Sequence, residues 1–194
     1  HLRAAYPDVP FVGIEPAVKP AAAATRSGII GVLTTKATAE GQLYQQVLER
    51  FAGDVRVLTR IAPDLVDIVE QGQQHSPAGR EALRRHVGAL TAAGADQIVL
   101  ACTHFPFLAD EIRALAGPHV TLVDPGPAVA RRVAQVLPQP ATGGNNPARV
   151  EDRYFTSGDP ARFGELLVLL LGKRASVVGV EWLPISGDYG MLMP

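Results

Sequence analysis

Strand-length, largely apolar runs alternate along this chain with helix-length stretches that are apolar on one face only, and that alternation leaves few folds open. The short runs are Phe11–Ile14, Ile29–Leu33, Val55–Leu58, Ile98–Ala101, Val120–Val123 and Val177–Val180. Between most of them, Ala39–Phe51, Glu81–Ala93, Pro106–Ala116 and Pro127–Leu137 place apolar residues three and four apart, with charge on the opposite side. Strands apolar on both faces and separated by helices predict a parallel sheet covered on both sides, with right-handed crossovers. The fold class is α/β, doubly wound. The segment Pro138–Pro147, crowded with Pro, Gly and Asn, predicts a surface loop or a crossover between domains. Beyond it, Arg153–Thr156 reads as a short strand and Asp159–Leu171 as a helix, with Pro160 at its first position and Gly172 past its end. Val177–Trp182 is a last strand, and Gly187–Pro194 has no period to interpret.

In an open parallel sheet the ligand site lies beyond the carboxyl ends of the strands. One strand runs from Gln97 into Cys102, Thr103 and His104, and Pro106 then stops it. Two apart on an extended backbone, Cys102 and His104 point to the same side. A thiol beside an imidazole, near a helix start, is a setting that favours a reactive thiolate. A cysteine after an apolar strand is also a common core residue, so both readings stand. A second strand end carries Thr34, Thr35 and Thr38; Thr38 is a candidate N-cap, and Thr35 offers donors to a carboxylate or phosphate. Glu70 closes the short helical face of Pro63–Glu70, as a catalytic or merely exposed acid. Asp124, before Pro125 and Gly126, reads as a helix-capping carboxylate. Glu15 and Lys19 read as parts of a solvated loop. His75, His86 and His119 share no ligand spacing, so no metal is expected; no Gly-rich phosphate loop is present either.

Composition narrows the partners. Eighteen basic residues against nineteen acidic ones leave a formal charge of -1, which provides no basic field for nucleic acid or an anionic membrane. No apolar run approaches the roughly 20 residues that span a bilayer. A single cysteine excludes an internal disulfide framework and suits a reducing cytoplasm. A small-molecule ligand is the remaining expectation.

Five ordered segments carry a resemblance. They are Val12-Gly13-Ile14-Glu15-Pro16-Ala17-Val18-Lys19-Pro20-Ala21, Gly31-Val32-Leu33-Thr34-Thr35-Lys36-Ala37-Thr38, Leu100-Ala101-Cys102-Thr103-His104-Phe105-Pro106, Val123-Asp124-Pro125-Gly126 and Phe155-Thr156-Ser157-Gly158-Asp159-Pro160. Together they resemble the bacterial glutamate racemase family from Pro10 to about Leu183. The resemblance implies inversion of glutamate without pyridoxal phosphate, metal or other cofactor, by two cysteines on opposite faces of the α-carbon. The D-glutamate then supplies peptidoglycan. It implies that Cys102 is the base for L-glutamate, that Thr103 and His104 bind substrate and assist the thiol, and that Thr35 and Thr38 hold the substrate. Glu70 matches an acid placed near the site. A homodimer is compatible with it.

The same resemblance marks a departure. The family's opening portion, with its Asp-Ser-Gly, Pro-Tyr-Gly and Cys-Asn-Thr segments, has no counterpart in these 194 residues. The expectation is therefore a racemase lacking its beginning and inactive alone. Residues 1–9 would be a remnant of the preceding helix and linker, 10–118 a complete α/β domain, and 119–194 the returning part of the first domain. Three alternatives stay open: an aspartate or hydantoin racemase, a hydrolase with Cys102 as nucleophile, and a non-catalytic binding protein.

Overall fold

The computed structural model describes residues 2–137, 152–184 and 190–193. The chain divides into two compact units, His1–Gln139 and Pro140–Pro194. In the first, helix α1 (Leu2–Ala5) and helix α2 (Val18–Ala24) precede strand β1 (Ile29–Thr34), helices α3 (Lys36–Ala39) and α4 (Gln42–Phe51), and strand β2 (Arg56–Ile61). Helices α5 (Asp64–Glu70) and α6 (Pro77–Ala92), strand β3 (Gln97–Ala101), a 3-10 turn (Phe105–Leu108), helix α7 (Ala109–Ala116), strand β4 (Thr121–Val123) and helix α8 (Gly126–Val136) complete it. The four strands form one parallel sheet in the order β2-β1-β3-β4.

Burial follows that order. Every residue of β3 and all but the first of β1 are buried, whereas the edge strands β2 and β4 are only partly covered. Ile30, Val32, Val99 and Ala101 face α2 and α4, where they meet Val18, Ala21, Tyr44 and Val47. The alternate residues face the other side, and Gly31 leaves room there for Leu90 of α6. Helices therefore cover both faces, as both-face apolar strands require.

Several expectations change against the structure. Phe11–Ile14 forms no strand and pairs with none of the four, and Ile14 stays 46% exposed. The helix expected over Ala39–Phe51 starts only at Gln42; Ala39 closes α3, and Gly41 before α4 has an extended backbone. Thr38 is not an N-cap; it lies inside α3, and Thr35 precedes that helix. Helix α6 begins four residues earlier than its periodicity indicates, because Ser76 accepts the Gly79 N–H at 3.0 Å and Pro77 takes the first position. Asp124 accepts the Gly126 N–H at 2.8 Å from the position before the N-cap Pro125, so it bonds the first residue of α8 without being its N-cap. By compactness the chain divides after residue 139, and β4 pairs with β3 in the first unit.

In the second unit, strands β5 (Tyr154–Thr156) and β6 (Val177–Gly179) pair in parallel, with helix α9 (Pro160–Leu171) between them in sequence. Asp159 caps α9 through the N–H groups of Ala161 and Arg162, and Gly172 ends it at φ 64°. The strand expected over Val177–Trp182 divides after Gly179, and β7 (Glu181–Pro184) turns back against β8 (Gly190–Met193) in an antiparallel pair. The linker expected at Pro138–Pro147 lies outside the described residues. Among the described residues no helix is long and apolar enough to cross a membrane.

Candidate active site

The strand order sets the place of the site. From β1 the chain moves outward to β2, then returns across β1 to β3, so connections leave in opposite directions at the β1/β3 boundary. Such a switch point opens a crevice beyond the carboxyl ends of the two strands. Thr34 and Ala101 are register partners there, and the Thr34 hydroxyl reaches the Ala101 carbonyl at 3.4 Å. The next residues, Thr35 and Cys102, leave the sheet side by side.

Cys102 follows a fully buried strand and is itself only partly buried, which the core-packing reading does not require. Its Sγ lies 3.7 Å from His104 Nδ1. On the far side of the ring, His104 Nε2 lies 2.6 Å from Glu70 Oε1, at the end of α5. A carboxylate only accepts, so Nε2–H is the donor to Glu70, and Nδ1 is the ring nitrogen that faces the thiol. The arrangement is a thiol, an imidazole and a carboxylate in line, able to pass a proton between Sγ and Nδ1 while Glu70 steadies the ring.

A cavity of about 340 Å³ opens over this group, lined by Thr35, Thr38, Cys102, Thr103 and His104, with Ile14, Glu15, Pro16, Val66 and Pro125 among its walls. Thr35 Oγ1 and Thr38 Oγ1 stand 3.3 Å apart across one turn of α3. Five of the six residues that the resemblance assigns to the site thus share one cavity, and Glu70 joins them through His104. Sequence reasoning missed the apolar walls; Pro16 and Pro125 belong to quoted segments, yet nothing in spacing indicates that they face one another. Glu15 is exposed on its loop and still borders the cavity. Lys19 lies over the Phe51 ring at 5.4 Å, beside a larger groove of about 620 Å³ between α2, α4 and α8. That groove has neither thiol nor imidazole in its lining; the thiol-imidazole pair borders the smaller cavity. Among the described residues no three His, Cys, Asp or Glu side chains gather as a metal site.

Comparison with known proteins identifies the family. The chain is 47% identical over 176 residues to the glutamate racemase of Ectopseudomonas mendocina, covering 91% of this chain and 66% of that protein. It is 43% identical over 158 residues to the glutamate racemase of Herpetosiphon aurantiacus, covering 81% of this chain and 62% of the relative. It spans just under two thirds of the length of such curated relatives. Among solved structures, Escherichia coli glutamate racemase, in complex with L-glutamate and an activator, superposes with a TM-score of 0.74 at 28% identity, over 92% of this chain and 68% of that one. A glutamate racemase isoform from Bacillus anthracis gives 0.75 at 26% identity, over 93% and 68%. Residues 1–133 match the family described as Asp/Glu/Hydantoin racemase, and the chain belongs to that family.

Proposed function

We propose that this chain supplies one face of a glutamate racemase site, with Cys102 as the thiol that takes the α-proton from L-glutamate. The observation that carries the reading is the Cys102–His104–Glu70 line at the sheet's switch point, opening into a cavity walled by threonine hydroxyls. The Cys102 thiolate removes the α-proton as the C–H electron pair stays on carbon, and an acid on the opposite face returns a proton to that carbon. His104 Nδ1 exchanges the proton with Sγ and resets the thiolate, while Thr35, Thr38 and Thr103 hold the polar ends of the substrate. The named relatives support glutamate as the substrate. A cytoplasmic setting keeps the thiol reduced, and the D-glutamate formed feeds peptidoglycan synthesis. Cys102 is the only cysteine of the 194 residues, so a thiol on the opposite face must come from outside them.

The test joins the chain to the opening portion of the Ectopseudomonas mendocina enzyme, with that portion's cysteine changed to Ser. In deuterated water this protein should exchange the α-proton of L-glutamate faster than that of D-glutamate, read by proton NMR. Restoring the other cysteine and making Cys102→Ser should reverse the preference. Equal exchange from both enantiomers in both proteins would overturn the assignment, because one thiolate reaches only one face. The thiol-imidazole-carboxylate line also fits a cysteine-nucleophile hydrolase. That reading requires an acyl adduct on Cys102, visible as added mass on the intact protein, whereas a racemase forms none.

A further inference from the structure

One buried histidine has no part in the mechanism above. His86, on α6, is 4% exposed and both of its ring nitrogens are engaged. Arg60 of β2 donates its Nε–H to Nδ1 at 3.0 Å. Nε2 lies 2.8 Å and 3.1 Å from the two carboxylate oxygens of Asp64, the first residue of α5. Arg85 of α6 holds the same carboxylate at 2.6 Å. Since Nδ1 accepts, the ring is neutral with its proton on Nε2, donated to Asp64. Burial also pushes the imidazole towards the neutral form, against the pull of Asp64. A second ring proton would set two donors, Nδ1–H and the Arg60 Nε–H, against each other.

Helix α5 has only seven residues, and its two ends do different things. Asp64 at the start is tied to His86; Glu70 at the finish touches His104. Leu65, Ile68 and Val69 bury its inner face, but apolar contact is non-directional and fixes depth better than rotation. The hydrogen bonds to Asp64 are directional and fix the rotation. A side chain about 5.5 Å from the axis moves about 1 Å when the helix turns by roughly 10°. Such a movement is enough to break a 2.6 Å contact.

We infer that His86 is a positioning residue, whose clamp on Asp64 sets α5 so that Glu70 meets His104 and, through it, Cys102. The inference rests on the thiol-imidazole-carboxylate reading of the site, and it is read without substrate. Cys102 is the only cysteine, so the rate of its alkylation by iodoacetamide is followed on the whole chain by mass spectrometry. The quantity is the ratio of the rate at pH 7 to the rate at pH 10, which reports thiolate formation rather than access to the thiol.

Glu70→Gln should lower that ratio on the order of threefold, and His86→Leu on the order of twofold, because the contact is loosened rather than removed. His86→Gln, which keeps one acceptor and one donor, should restore the ratio. In Glu70→Gln the added His86→Leu should change nothing further, the mark of two residues acting through one contact. Asp64→Ala, at the more exposed end of the clamp, removes the acceptor for the His86 Nε2–H, should lower the ratio in the same direction and replaces His86→Leu if that variant fails to fold. A folded His86→Leu or Asp64→Ala with the parent ratio overturns the positioning role alone. A parent ratio in Glu70→Gln overturns the site reading and the inference with it.

Discussion

Alanine at Gly79 and alanine at Gly88 add the same methyl group to the same helix, and the structure assigns them opposite signs. At Gly88 a Cβ would meet no heavy atom within 4 Å. Only the backbone term remains, and Gly→Ala in an open helix interior stabilises by about 0.4–1 kcal/mol. At Gly79 the Cβ would lie 2.3 Å from the carbonyl oxygen of Gln73 and 3.3 Å from that of Gln74. The obstacle is backbone, and it is tied: the same Gln73 oxygen accepts the Ser76 N–H at 3.0 Å, and Gln73 N–H bonds Ile68 at 2.8 Å. Restoring ordinary contact moves that carbonyl by about 1 Å and strains the Ser76 cap, which is worth about 1 kcal/mol. Overpacking adds about 1–3 kcal/mol, and the helix term returns up to about 1 kcal/mol. The net expectation is destabilisation by about 1–3 kcal/mol. Urea unfolding followed by far-ultraviolet circular dichroism measures both. With a slope of about 2 kcal/mol/M, the Gly79→Ala midpoint falls by about 0.5–1.5 M and the Gly88→Ala midpoint rises by up to about 0.5 M. A Gly79→Ala protein as stable as the parent would refute the steric argument.

Two further outcomes are expected. The chain alone should show no glutamate racemisation above background in a coupled D-glutamate assay, because the proposed mechanism calls for a thiol on each face, the chain has one, and each acid or base contributes about 10²–10⁴ in rate; turnover abolished by Cys102→Ala would overturn the two-thiol scheme for this chain. Asp96 should contribute acid-sensitive stability: partial burial pulls its carboxyl upward, but the Thr25 hydroxyl, the backbone N–H groups of Arg26 and Ser27 and the Ser27 hydroxyl outweigh it and lower the value from 3.8 to about 2. The unfolded chain therefore takes up the proton first as pH falls, so the contribution is complete above about pH 4 and is lost towards pH 2. Urea midpoints measured from pH 5 to pH 2 should fall less steeply in Asp96→Asn than in the parent, and equal slopes would remove Asp96 from the acid response.

How much of this was legible in the sequence depended on where each interaction sits. Ile29–Leu33 and Ile98–Ala101 stood out because central strands are buried on both faces, and β1 and β3 are the two strands buried almost throughout. Phe11–Ile14 has the same apolar character and forms no strand, since a short apolar run does not by itself report whether its backbone finds a pairing partner. Thr38 looked like a cap because hydroxyl residues before a helical pattern usually are; a single turn, α3, was inserted ahead of α4 and moved it inside. Cys102 and His104 could be placed on one side by spacing alone. Their third member could not, because Glu70 is 34 residues from His104. His86 was passed over for the same reason: its partners Asp64 and Arg60 lie 22 and 26 residues away on other elements, where no spacing rule reaches.

The step that gathers the site is the strand order. Neighbouring strands lie about 4.8 Å apart, so with β1 beside β3 the residues that leave them, Thr35 and Cys102, stand within one strand spacing. In the sequential order β1-β2-β3 the end of β2, with Ala62 and Pro63, would stand between them at about twice that distance, and one small ligand could not touch both. Placing β2 at the edge has a second consequence. The chain must recross β1 to reach β3, and α5 and α6 make that crossing, with Leu90 of α6 seated over Gly31 of β1. Helix α5 follows the carboxyl end of β2 directly, so the crossing carries it past the end of β1 towards the turn that holds His104. The approach of Glu70 to His104 is thus a result of the same topology that opens the cavity, and a clamp at the other end of α5 is what converts that crossing into a fixed hydrogen bond.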